Sequence, residues 1–152
     1  MANPTARTAS TPAAAAGAPR TGNARVDRML QGMLGTGHLE HTELAGSGIA
    51  LHFRADDAYF TSDEFIARLV IGAAFGLLHR CGLDHAVFTF VRNGNDVRLR
   101  VAKAAFDAFF ALSAAQMARL ASDPDRFEHS PVRNVTEARQ WEFFLQFSKD
   151  DE

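Results

Sequence analysis

The sequence predicts an α+β domain: a four-stranded antiparallel sheet with two main helices on one of its faces. Three observations carry that expectation. Residues 61–83 hold the start and stop signals of one amphipathic helix. Residues 86–101 change to a period of two around Asn93-Gly94. The flanking segments supply the remaining strands and a second helix.

The central helix is the best marked element. Thr61 and Glu64 form a capping box, Phe60 and Phe65 flank it as a hydrophobic staple, and apolar residues recur at Ile66, Leu69, Val70, Ala73, Leu77 and Cys81. His79 and Arg80 in the last turn suit the negative end of the dipole, and Gly82 can take the left-handed conformation that closes a helix, with Leu83 folding back. In the hairpin that follows, a tight turn at Asn93-Gly94 sets Phe90 opposite Val97, Phe88 opposite Leu99 and Ala86 opposite Val101. That face is apolar. The other carries Val87, Thr89 and Val91 against Asp96, Arg98 and Arg100.

Around this unit the chain reads in order. Residues 1–24 form a disordered tail, interrupted by Pro4, Pro12 and Pro19 and of low complexity over 13–16; residues 25–152 form a single α+β domain. A short helix over 25–34 is marked by Val26, Met29, Leu30, Met33 and Leu34. Ile49, Leu51 and Phe53 alternate with Ala50, His52 and Arg54 as a half-buried strand. A second helix spans 103–112, and Ser113 with Gln116 makes another capping box, stapled by Leu112 and Met117. From 141 to 147 strict alternation reads as a last strand, although Ala138, Trp141 and Leu145 would also make a helical stripe. The resulting order, β-α-β-β-α-β, is that of a ferredoxin-like sandwich, in which right-handed crossovers put both helices on one side.

Composition excludes more than it assigns. A net charge of −2 gives no global pull toward nucleic acid or anionic lipid. Thirteen Phe against one Tyr and one Trp say that the aromatics mainly fill space. The longest apolar run is interrupted by Arg68 and is too short to span a bilayer, and the lone Cys81 allows no internal disulfide, so the expectation is a cytoplasmic protein without a membrane segment. The Arg-containing, acid-free first 26 residues fit a transit peptide and, with the Arg-heavy basic set slightly in its favour, a disordered bacterial tail; a secretion signal is the third reading.

Candidate chemistry falls in two places. On the sheet face away from the helices, His52, Arg54, Thr89, Arg98 and Arg100, with Phe144 from the last strand, would form a cationic patch suited to phosphate, carboxylate or an acidic partner. The alternative is a solvated face whose arginines pair with Asp96 or Glu142. The first and third strands of this order would be neighbours, yet they lack outward aromatics to stack bases, which weighs against nucleic acid. The second place is His38, Glu40 and His41, a weak metal-ligand candidate that His52 or His129 could complete. Cys81 at a helix C-terminus is poorly placed for activation, and Asp84-His85 lacks a serine elbow. Gly72 and Gly76 suit close packing. The sequence therefore points to a non-enzymatic adaptor or regulatory module with no cofactor, acting through a protein partner or as a homodimer by an open sheet face or an edge strand. A metal-dependent enzyme and a nucleic-acid or anion binder are the alternatives.

Overall fold

Two β-hairpins joined through one helix generate the sheet. The computed structural model describes residues 21–34, 39–54, 63–92 and 94–148. In the first hairpin β1 (Leu39–Ala45) pairs antiparallel with β2 (Gly48–Phe53), and Ala45 opposite Gly48 leaves Gly46-Ser47 as the link. Gly46 takes φ +60°, as a tight hairpin turn demands. In the second, β3 (His85–Arg92) pairs with β4 (Asn95–Ala102) in the expected register, Phe90 with Val97, Phe88 with Leu99 and Ala86 with Val101. Arg92 opposite Asn95 fixes the two-residue link, where Gly94 has φ +79°; Asn93 lies outside the described residues.

The two hairpins meet along a parallel seam. β2 runs beside β3 from Gly48 against His85 to His52 against Thr89, so the sheet order is β1-β2-β3-β4. Parallel neighbours need a long connection, and α2 (Asp63–Phe75) lies within it. The fold is thus mixed α+β with four strands and six α-helices among the described residues. Its sheet does not have the ferredoxin-like order expected above. Residues 39–45 are a strand that has no place in the expected order, and 137–147 are a helix that takes in the strand expected over 141–147. Both departures have local causes. The register of β1 slips between Leu39 and His41, and this bulge breaks the alternation of its inward residues. At the C-terminus two i, i+4 pairs interleave, Phe143 with Phe147 buried and Trp141 with Leu145 exposed, which mimics a period of two.

Four of the six helices start at a side-chain cap among the described residues. Asn23 caps α1 (Ala24–Leu34), accepting from the Arg25 and Val26 amides at 3.0 and 3.1 Å. The cap expected at Thr61 lies outside the described residues. After Phe75 the helix widens into a π turn, Gly76–Arg80, in which the Cys81 amide donates to the Gly76 carbonyl at 2.9 Å. Gly82 then closes it at φ +75°, and the Leu83 amide folds back to the Leu77 carbonyl at 3.1 Å. α3 (Lys103–Phe109) ends earlier than its expected limit of 112. The capping box forms as read: the Gln116 amide donates to Ser113 Oγ at 3.2 Å and the Ser113 amide to Gln116 Oε1 at 2.7 Å, starting α4 (Ala114–Ser122). Asp123 caps α5 (Pro124–Glu128) and Thr136 caps α6 (Glu137–Phe147).

Leu51, Phe88 and Leu99 from the sheet, Ile66, Val70 and Leu77 from the α2 segment, and Phe106 and Phe143 from later helices belong to one buried cluster. Phe143 meets Phe109 and Phe106 edge-on, with ring centroids 5.3 and 6.2 Å apart. α1 joins the helical layer by packing on α2 and the π turn. A Cβ at Gly76 would run into the Met29 sulfur, so Gly76 permits close helix-helix contact.

Between α3 and α4, Ala111 sits exposed at φ +58°, a left-handed conformation that is unfavourable for any residue with a Cβ. Replacing Ala111 by Gly is expected to stabilise the fold by about 0.5–1 kcal/mol, read as a raised Tm in thermal denaturation.

Candidate functional site

The ladders align side chains across all four strands on the face away from the core. One row runs His41, His52, Thr89, Arg98, and the next runs Glu43, Ala50, Val87, Arg100. With strands about 4.8 Å apart, the face is about 14 Å across from β1 to β4. Arg98 and Arg100 are exposed, and neither has a carboxylate partner among the described residues; His52 and Thr89 are half-buried. The His41 and His52 rings lie with centroids 5.5 Å apart, and His41 Nε2 is 3.7 Å from Glu43 Oε2. In the third row the His85 ring occupies the space over Gly48 that a Cβ would need.

Four of the six expected binding residues therefore share this face. The order of these four differs from expectation: β3 separates β2 from β4, so Thr89 stands between His52 and Arg98. Arg54 is exposed just past the end of β2. Phe144 is not part of the face, because α6 carries it half-buried against the core. Glu142, considered as a partner for the sheet arginines, pairs instead with Arg139 on its own helix. Arg139 also stacks over the Phe109 ring, 3.9 Å from its centroid, and donates to the Phe109 carbonyl.

The segment read as a metal-ligand candidate is the edge strand itself. His38 lies outside the described residues, Glu40 is exposed at the bulge, and His41 stands beside His52. His129 is elsewhere, at the end of α5, where its Nδ1 lies 3.1 Å from the Asp125 carbonyl. Among the described residues no three His, Cys, Asp or Glu side chains gather to hold a metal ion.

β1 has β2 as its main neighbour, so among the described residues one of its backbone edges has no strand beside it. Its middle residue, Thr42, faces inward and is 7% exposed, yet its hydroxyl has no hydrogen-bond partner among the described residues. Reading the sequence missed this strand, although Gly46-Ser47 is a hairpin-type dipeptide that could have disclosed it.

A second feature that sequence reasoning missed is internal. His79, from the π turn, places Nε2 2.7 Å from Asp107 Oδ1 on α3, with side chains 6% and 11% exposed. The His79 ring lies 5.8 Å from Phe75 and 6.4 Å from Phe106, centroid to centroid. No hydroxyl or thiol is hydrogen-bonded to His79 among the described residues, so the pair acts as a clasp between helices. Cys81 nearby is half-buried; burial pushes its thiol pKa up, and the Arg25 and Arg80 charges only partly oppose this. That direction argues against a nucleophile.

Comparison of the chain with protein-family models, curated proteins and solved structures finds no match. No helix of the described residues is long and apolar enough to cross a membrane.

Asp107→Ala leaves His79 buried without its partner and should cost about 2–3 kcal/mol in urea denaturation. The His79→Ala, Asp107→Ala double variant should lose clearly less than the sum of the single losses. Because its pKa is raised, the Cys81 thiol holds less thiolate than a free one at mildly alkaline pH. Iodoacetamide should therefore label it more slowly in folded than in urea-denatured protein.

Proposed function

We propose that the protein is a small non-enzymatic binding module that works as a homodimer through its edge strand, β1, and uses the basic end of its sheet face to hold an acidic protein partner. The observation that carries the reading is the self-complementary edge. Antiparallel pairing of β1 with a second copy about Thr42 sets His41 of each chain opposite Glu43 of the other on the outer face. It also sets the two Thr42 residues opposite each other on the inner face, where cross-strand hydroxyl pairs form hydrogen bonds. A buried hydroxyl left without a partner costs about 1–3 kcal/mol, and this pairing removes that cost.

Joined in this way, two sheets become one of eight strands. The Arg98 and Arg100 sides fall at its two outer ends, clear of the dimer seam. A module so built has two equal basic surfaces, which is the geometry of an adaptor that brings together two copies of an acidic partner.

Light scattering coupled to size exclusion tests this directly. The expected result is a dimer mass at low and high salt, because a strand pairing rests on backbone hydrogen bonds that salt screens little. Thr42→Val and Glu43→Lys should shift it toward monomer, whereas Arg98→Glu with Arg100→Glu should leave the mass unchanged. A monomeric wild type whose Thr42→Val variant simply melts higher would remove the basis of the reading.

A further inference from the structure

The helical layer, on the far side from the sheet face, contains a cavity of about 440 Å³ between α2, the π turn, α5 and the segment after it. Its floor is apolar. Phe75 and Phe127 stack there with centroids 4.7 Å apart, beside Val135. Its rim is cationic, lined by Arg68, Arg80 and Arg133. Arg80 lies 5.5 Å from the centroid of each ring, and among the described residues the Arg133 guanidinium makes only a long, exposed contact of 3.9 Å with Glu128.

Gly72 makes this opening possible. It sits within α2, where glycine costs about 1 kcal/mol relative to alanine, and a Cβ placed on it meets nothing within 4 Å among the described residues. It also lines the cavity. A side chain at position 72 would therefore grow into empty space and close the floor. The sequence accepts a poor helix former here without any close contact that demands it, in contrast to Gly76, which Met29 crowds.

From this we infer that the cavity is a binding site for a small amphipathic carboxylate, its hydrocarbon body on the Phe75 and Phe127 rings and its head group among the guanidinium groups of the rim. The volume suits such a molecule. A planar carboxylate matches the fork of an arginine side chain in a way that a neutral head group cannot. The π turn contributes directly, since it holds Arg80 over the same rings that form the floor.

Calorimetric titration with decanoate, decanol and decylamine tests the inference. Decanoate should bind at least tenfold more tightly than decanol, and decylamine more weakly still. Arg80→Met keeps an apolar stem over the rings while removing the charge, and should bring decanoate down to the level of decanol. Gly72→Leu should abolish binding of both while its thermal melt stays at or above that of the wild type, which separates a filled cavity from a misfolded chain. Equal affinity for decanoate and decanol in the wild type, no measurable binding of either, or undiminished binding to Gly72→Leu would each overturn the proposal.

Discussion

The parallel pairing of β2 with β3 is the constraint on which the rest of the molecule depends. Hairpins alone could have closed an antiparallel meander with no helix between them. Because these two central strands run the same way, the chain must travel back along the sheet, and α2 lies on that path. Once α2 is on one face, the later helices have an apolar surface to join, and the opposite face is left to histidines and arginines. The seam also decides which strands lie at the edges. β4 leads directly into α3 and touches α6, whereas β1 ends the sheet on the other side, with no further strand along it among the described residues.

Within the helical layer, one widened turn has several effects at once. The π turn after Phe75 ends α2 and presents two successive polar residues to different neighbours. His79 reaches the buried carboxylate of Asp107, while Arg80 lies over Phe75 and Phe127. The Arg80 carbonyl accepts from the Arg25 guanidinium at 3.4 Å, which ties α1 to the same place. A widened turn is a costly way to end a helix unless the residues it redirects find partners, and here both do.

What could be read from the sequence follows from how local each signal is. The Asn93-Gly94 hairpin, the Ser113 capping box and the Gly82 helix stop each depend on residues only a few positions apart, and each forms as read. β1 was hidden because its bulge at Glu40 shifts the inward set from one parity to the other. α6 was hidden for the opposite reason, since its apolar residues are too many and cover two faces. The two errors cancel in the strand count and not in the topology, because no local signal states whether two strands far apart in sequence pair parallel. His79 with Asp107, and Arg80 with the rings of Phe75 and Phe127, come together only when α2, α3 and α5 have docked. The candidate sheet face was legible where it rests on the hairpin, in Thr89, Arg98 and Arg100, and failed at Phe144, where it rested on the last element.

The uneven use of aromatic residues also shapes how this molecule looks in a spectrometer. The aromatic part of its core is phenylalanine, which absorbs and emits weakly, and its only tryptophan, Trp141, stands 54% exposed on α6 beside Leu145. Unfolding therefore moves the one strong fluorophore from a mostly wet setting to a fully wet one, and its emission colour changes little while the interior comes apart. A partner settling over Trp141 and Leu145 would do the reverse, drying the indole and shifting its emission to the blue with the fold untouched. In this protein tryptophan light reports on company at the surface, and the state of the core is read better from the far-ultraviolet signal of its helices.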